Sequence, residues 1–126
     1  MNILAALASL SAFITFAVHT FAGGRVVARP LLADTHLPPA SKWLNYYCWH
    51  ITTVLLAAMA LAFAATALDA RFAAFPYLLG PLALCLSGLS AAIAIKAGMP
   101  PLRLPSTSLF ALTGTLGVAA IFANPV

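Results

Sequence analysis

Few side chains in this sequence can do chemistry, and two of them, His19 and His50, stand inside apolar runs. An ionisable side chain at membrane depth is costly and normally faces a bundle interior, so both are functional candidates. Thr15 precedes His19 by four residues and Thr53 follows His50 by three, with Ser11 and Tyr46 extending the same helical faces. A polar stripe on each of two neighbouring helices predicts a shared pocket formed by Thr15, His19, Trp49, His50 and Thr53. Two facing imidazoles are also the minimum for bis-histidine haem or for part of a transition-metal site. In such sites one ring nitrogen donates its lone pair while the other bonds an acceptor. Two histidines do not complete a zinc site, and His36 belongs to a loop. The alternative is that each histidine makes an interhelical or head-group hydrogen bond.

The second chemically distinctive stretch is GGRVVARPLL. Gly23-Gly24 predict a break directly after His19, since glycine opens backbone turns closed to other residues. Arg25 and Arg29, four apart, then share one face of a short segment expected to lie on the membrane surface, with Pro30 ending or bending it. Anionic lipid head groups near Arg25, Arg29 and Lys42 are the expected partners. A sharper alternative is an anion site combining those three cations with a histidine at the mouth of the bundle. THLPPASK follows as an irregular connector, Pro38-Pro39 favouring an extended path.

These residues need elements to hold them, and composition says which. Hydrophobic residues make up 63% of the chain and charged residues 6%, too few charges to solvate a soluble globule. That excludes an ordinary soluble enzyme, a disordered tail and a nucleic-acid-binding domain. Four apolar runs approach the ~20 residues that cross a bilayer: residues 3–21, 44–68, 72–95 and 106–123. Backbone groups in lipid must bond internally, so the runs are helices. Short connections make them an antiparallel, up-down-up-down four-helix transmembrane bundle. The expected fold is thus all-α, one integral membrane domain over residues 1–126, with a short interfacial segment between the first two helices. The first run lacks a positive n-region and is too long for a signal-peptide core, so it is expected to be a retained helix. Small residues at Ser87, Gly88, Ala91 and Ala92, and at Gly114 and Gly117, are expected to let helices approach. Pro76 fits a first turn; Pro81 predicts a kink, a hinge or a later helix start.

Charge sets the topology. Arg25, Arg29, Lys42, Lys96 and Arg103 fall in loops 22–43 and 96–105, while Arg71 is balanced by Asp69. The positive-inside bias places those loops in the cytoplasm and both termini outside. Trp43, Tyr46, Tyr47 and Trp49 form an interfacial belt where the second span enters. Cys48 and Cys85 lie in apolar runs and act as small hydrophobes rather than as a disulfide. There is no carboxylate pair, Asp34 and Asp69 being on opposite sides, and no nucleophile–base set.

The segments AVHTFAGGR and YYCWHITTV resemble a family of uncharacterised bacterial four-span inner-membrane proteins. In that family His-Ser/Thr-x-x-Gly ends the first helix and Trp-His-x-Thr opens the second. The match covers His19, Thr20, Gly23, Trp49, His50 and Thr52 in the first half of the chain. Many relatives carry an acidic residue where this chain has Gly24, which removes a carboxylate partner for a histidine. The resemblance implies a four-helix fold in the bacterial inner membrane and no particular activity. The leading expectation is a non-catalytic accessory subunit, assembly factor or small-ligand binder with a His19/His50 pocket at the cytoplasmic side, acting with a membrane-protein partner or as a homo-oligomer. A haem- or metal-binding redox protein using His19 and His50 is the first alternative. A small oligomeric transporter with Pro81 as its moving joint is the second.

Overall fold

The computed structural model describes residues 1–123, so the last three residues of the expected 1–126 domain lie outside them. Four long apolar helices form an antiparallel bundle: α1 (Ile3–Ala33), α2 (Pro39–Leu68), α3 (Phe75–Lys96) and α4 (Pro105–Ala123). No strand occurs among the described residues. All four helices are long and apolar enough to span a bilayer, and the protein is a multi-pass membrane protein.

Packing joins α1 to α2 and to α4, and α4 to α3, whereas α2 and α3 touch only sparsely. The shared core is built from small and large side chains in register. Ala8 and Ala12 of α1 are fully buried with Leu56, Met59 and Phe63 of α2 and Ala83 of α3. Hydroxyl groups fasten the helices, because apolar lipid gives helices little hydrophobic reason to associate. Ser9 Oγ donates to Ala60 O at 2.8 Å, and Ser11 Oγ and Thr113 Oγ1 are 2.8 Å apart between α1 and α4. Ser90 Oγ lies 2.7 Å from Ser106 Oγ and 2.9 Å from Thr107 Oγ1 between α3 and α4.

The expected close approach occurs at Gly114 and Gly117. A Cβ at Gly117 would meet the Phe63 ring at 2.7 Å, and one at Gly114 would meet Leu84 at 2.7 Å. On α3, however, the close glycine is Gly80, where an added Cβ would fall 2.8 Å from Val118 N, while one at Gly88 would meet nothing within 4 Å. Apolar spans carry too little amphipathic pattern to tell these faces apart. Pro76 takes the first turn of α3, as expected, and the helix runs on through Pro81 without a later start.

The largest departure lies in α1. Gly23-Gly24 do not break it. The α-helical part, Ile3–Ala17, widens into a π-helical stretch, Val18–Ala28, and returns to α-helix over Arg29–Ala33. Arg25 and Arg29 therefore belong to a continuation of the first span and not to a separate surface helix. Arg29 N–H still bonds Gly24 O in the wider ladder, and Pro30, which has no N–H to give, stands where the ladder narrows again. The connector shrinks to 34–38, where Asp34 Oδ1 accepts from His36 N at 2.6 Å and Leu37 N at 3.2 Å. Pro38 is extended, and Pro39 is the first residue of α2, a position proline tolerates because that N–H has no helical partner.

At the opposite end Asn2 ties three helices. It caps α1 by accepting from Ala5 N at 3.0 Å, donates through Nδ2 to Ala120 O at 2.9 Å, and donates its backbone N–H to Ala67 O at 3.0 Å. The turn beyond α2 is closed by Asp69, whose carboxylate accepts from Arg71 N at 2.9 Å, Nε at 2.8 Å and Nη2 at 2.6 Å. The guanidinium and amide of Arg71 hold the Asp69 carboxyl below the usual carboxylate range.

Candidate functional site

Length places the chemistry. At ~1.5 Å per residue, 30-residue α2 is ~45 Å long, while 22-residue α3 and 19-residue α4 are ~33 and ~28 Å. The hydrocarbon layer is ~30 Å thick. Since α2 and α3 share the tight Asp69 turn, α2 projects beyond the other end of the bundle, together with the extension of α1. His50, 18 residues from Leu68, lies ~27 Å along α2, at the head-group boundary and shallower than a span starting at residue 44 suggests. This is the basic end, with Arg25, Arg29, Lys42, Lys96 and Arg103.

There α1 and α2 are locked by Trp49. Its ring stacks on His19, with centroids 3.9 Å apart and planes 19° from parallel. A Cβ at Gly23 would fall 2.7 Å from Trp49 Cη2, so the missing side chain is what admits the indole. His19 Nε2 is 3.2 Å from Trp49 O, which also accepts from Thr53 Oγ1 at 3.1 Å. A carbonyl cannot donate, so Nε2 carries the proton and Nδ1 alone keeps a free lone pair. Thr15 Oγ1 turns back to Ser11 O at 2.8 Å.

The expected common pocket is divided in two by Trp49, which lines both halves. His19 and Thr15 belong to an apolar cavity of about 440 Å³ beside α4. His50, Thr53, Arg25 and Arg29 belong to a separate cleft of about 360 Å³, completed by Thr20, Phe21, Gly24, Ala28, Leu32 and Tyr46. Trp49, stacked on His19, is the one residue common to the two linings. His50 instead packs edge-on to Tyr46, with centroids 4.5 Å apart. His36 is exposed, its Nδ1 3.7 Å from Asp34 Oδ1. Among the described residues no three His, Cys, Asp or Glu side chains gather as a metal site.

The cleft is cationic. Arg25 and Arg29, four apart along the α1 extension, both line it, and among the described residues neither has a carboxylate within 4.0 Å. Asp69 is engaged by Arg71, and Asp34 caps its own turn. Thr20 Oγ1 is buried without a hydrogen-bond partner. Thr15, Thr53, Thr66 and Thr113 all bond the carbonyl four residues back, but in the widened π turn Thr20 does not. A buried orphan hydroxyl is costly, about 1–3 kcal/mol, unless a ligand completes it. Lys42 is not part of this set. Its Nζ donates to Leu32 O at 3.2 Å and so closes the carboxyl end of α1, where a cation is favoured.

Thr20 and Gly24 had no part in the pocket expected from the polar stripes, whereas Tyr46 was expected there on the face of His50. Thr20 carries a readable signal, standing beside His19, but its lost partner depends on a π turn that spacing does not announce. Cys48 and Cys85 are both free and exposed. Comparison with protein-family models, curated proteins and solved structures finds no match to this chain.

Proposed function

We propose that this membrane protein is a non-catalytic binder of a phosphate-type anion, held in the cleft between the projecting ends of α1 and α2. The ligand is either the head group of an anionic lipid or a free phosphate-bearing small molecule. The observation that carries this reading is the joint presence of Arg25 and Arg29 on one cleft, with Thr20 in its lining and no carboxylate among the described residues to neutralise it. Guanidinium groups suit oxyanions because their donors form a planar fork. At 360 Å³ the cleft falls within the ~300–1,000 Å³ of small-molecule sites. In this assignment the basic end faces the cytoplasm, as the positive-inside bias requires. The resemblance to bacterial four-span inner-membrane proteins supports an inner-membrane location. It also supports a role for the His19–Trp49–Gly23 lock, since those residues carry the resemblance.

Trp49 lines the cleft and reports on it. In Trp43→Phe protein, Trp49 is the sole indole. Its fluorescence is followed in phosphatidylcholine nanodiscs titrated with inorganic phosphate, and in nanodiscs with increasing phosphatidylglycerol. A saturable response in the first arm identifies a free anion, and one in the second alone identifies a lipid head group. Either response is expected to vanish in Arg25→Gln/Arg29→Gln protein. Gly24→Asp is expected to abolish it as well, because a side chain there meets nothing within 4 Å and places a carboxylate in the cleft. Gly24→Ala retains it. Responses indifferent to these changes refute the proposal.

A further inference from the structure

The apolar cavity on the other side of Trp49 does not close. It is walled by Val18, Val26 and Val27 of α1, Leu56 of α2 and Leu109 of α4. Thr52, Leu104, Ser106 and Phe110 line this cavity and also a second one of about 250 Å³, which continues between α2 and α3 against Leu55, Leu89 and Ile93. The two form one groove running from the basic end down the α2–α3 seam.

Polar contacts explain why the seam stays open. Ser90 and Ser87 fasten α3 to α4, Ser87 Oγ donating to Thr107 O at 2.7 Å. Ser9 and the His19–Trp49 stack fasten α2 to α1. No comparable bond joins α2 to α3 among the described side chains away from the Asp69 turn, and their packing is sparse.

We infer that this groove is a binding site for the hydrocarbon chain of an anionic membrane lipid, whose head group lies at Arg103 on the groove's rim. The medium that faces the seam is hydrocarbon, and an apolar groove of this size at membrane depth is not filled by water. Arg103 is exposed, lines the groove and has no carboxylate partner among the described residues, which selects an anionic head group over a zwitterionic one. This site is separate from the cleft at Arg25 and Arg29 and stands whether or not that cleft binds an anion.

The test uses Trp43→Phe protein in vesicles whose lipid chains carry bromine, a short-range quencher of Trp49. Brominated phosphatidylglycerol is expected to quench Trp49 more than brominated phosphatidylcholine at equal bromine content. Thr52→Phe fills the passage common to the two cavities and is expected to remove the excess quenching, while Thr52→Ser keeps it. Arg103→Gln equalises the two lipids, whereas Lys96→Gln, an exposed cation of the same end that lines neither cavity, leaves the difference intact. Equal quenching by both lipids overturns the inference, as does an excess unaffected by Thr52→Phe and Arg103→Gln. Quenching that falls as the protein-to-lipid ratio rises shows a second copy of the chain in the groove, and also overturns it.

Discussion

Gly23→Ala and Gly24→Ala differ by one position and are expected to have opposite effects. At Gly24 a new Cβ meets nothing within 4 Å; at Gly23 it lies 2.7 Å from Trp49 Cη2 and 3.1 Å from Cζ2. Carbon atoms attract best at ~3.5–4.0 Å, so the nearest ring atom must retreat by roughly 0.8 Å. The indole cannot swing away freely, because one face is stacked on His19 and the backbone of Trp49 is bonded to His19 and Thr53. Overpacking of this kind costs about 1–3 kcal/mol. Replacing glycine by alanine within a helix returns about 1 kcal/mol at either site, a gain that cancels in the comparison. Gly24→Ala should therefore be neutral or stabilising, and Gly23→Ala should be less stable than it by about 1–3 kcal/mol. The assay is unfolding in dodecylmaltoside micelles titrated with dodecyl sulfate, followed by far-ultraviolet circular dichroism. A shift in Trp49 emission, read in the Trp43→Phe background, accompanies Gly23→Ala alone. Equal stability of the two alanine variants refutes the lock between α1 and α2.

Three other outcomes are expected. Asn2→Ala removes a helix cap and leaves Ala120 O without its donor, so the same unfolding titration should show a loss of about 1–3 kcal/mol; Asn45→Ala, which loses only a bond to Ser41 O in its own helix, should change stability by less than about 0.5 kcal/mol. With Cys48 and Cys85 replaced by serine, a membrane-impermeant maleimide applied to intact cells should label a cysteine at Ala70 and spare one at His36; the reverse pattern overturns the orientation taken from the loop charges. The Asp69 carboxyl, lowered by Arg71, contributes to the turn fully above the ordinary carboxylate range and loses that contribution as pH falls through its lowered value. Carboxyl NMR should record this, with Arg71→Gln raising the titration, and an unchanged midpoint in that variant removes the assigned cause.

The chemistry of the basic end was partly legible in the chain. Arg25 and Arg29 are four apart, and any helix, α or π, keeps them near one face, so their joint membership of a cleft follows from spacing. Trp49 and His50 were visible as an aromatic and an ionisable group entering a span. The partition between them was not, because adjacent residues on a helix point about 100° apart and only the partner helix decides which of the two is enclosed. Trp49 turns toward α1 because Gly23 leaves room, and His50 is thereby left to the outer cleft. Lys42 has the charge of an anion ligand, but the carbonyl it caps belongs to a helix end that Gly23-Gly24 concealed.

Composition and apolar run length determined that the chain lives in lipid as four antiparallel helices, since backbone groups in hydrocarbon have no partner other than their own helix. Neighbour relations among the helices, the path of α1 through Gly23-Gly24, and the division of the histidines between two cavities were decided only in three dimensions. In spans apolar on nearly every side, hydrophobicity does not choose a face. Contacts between groups distant in sequence choose it instead: Asn2 with Ala120, Ser11 with Thr113, and Gly23 with Trp49.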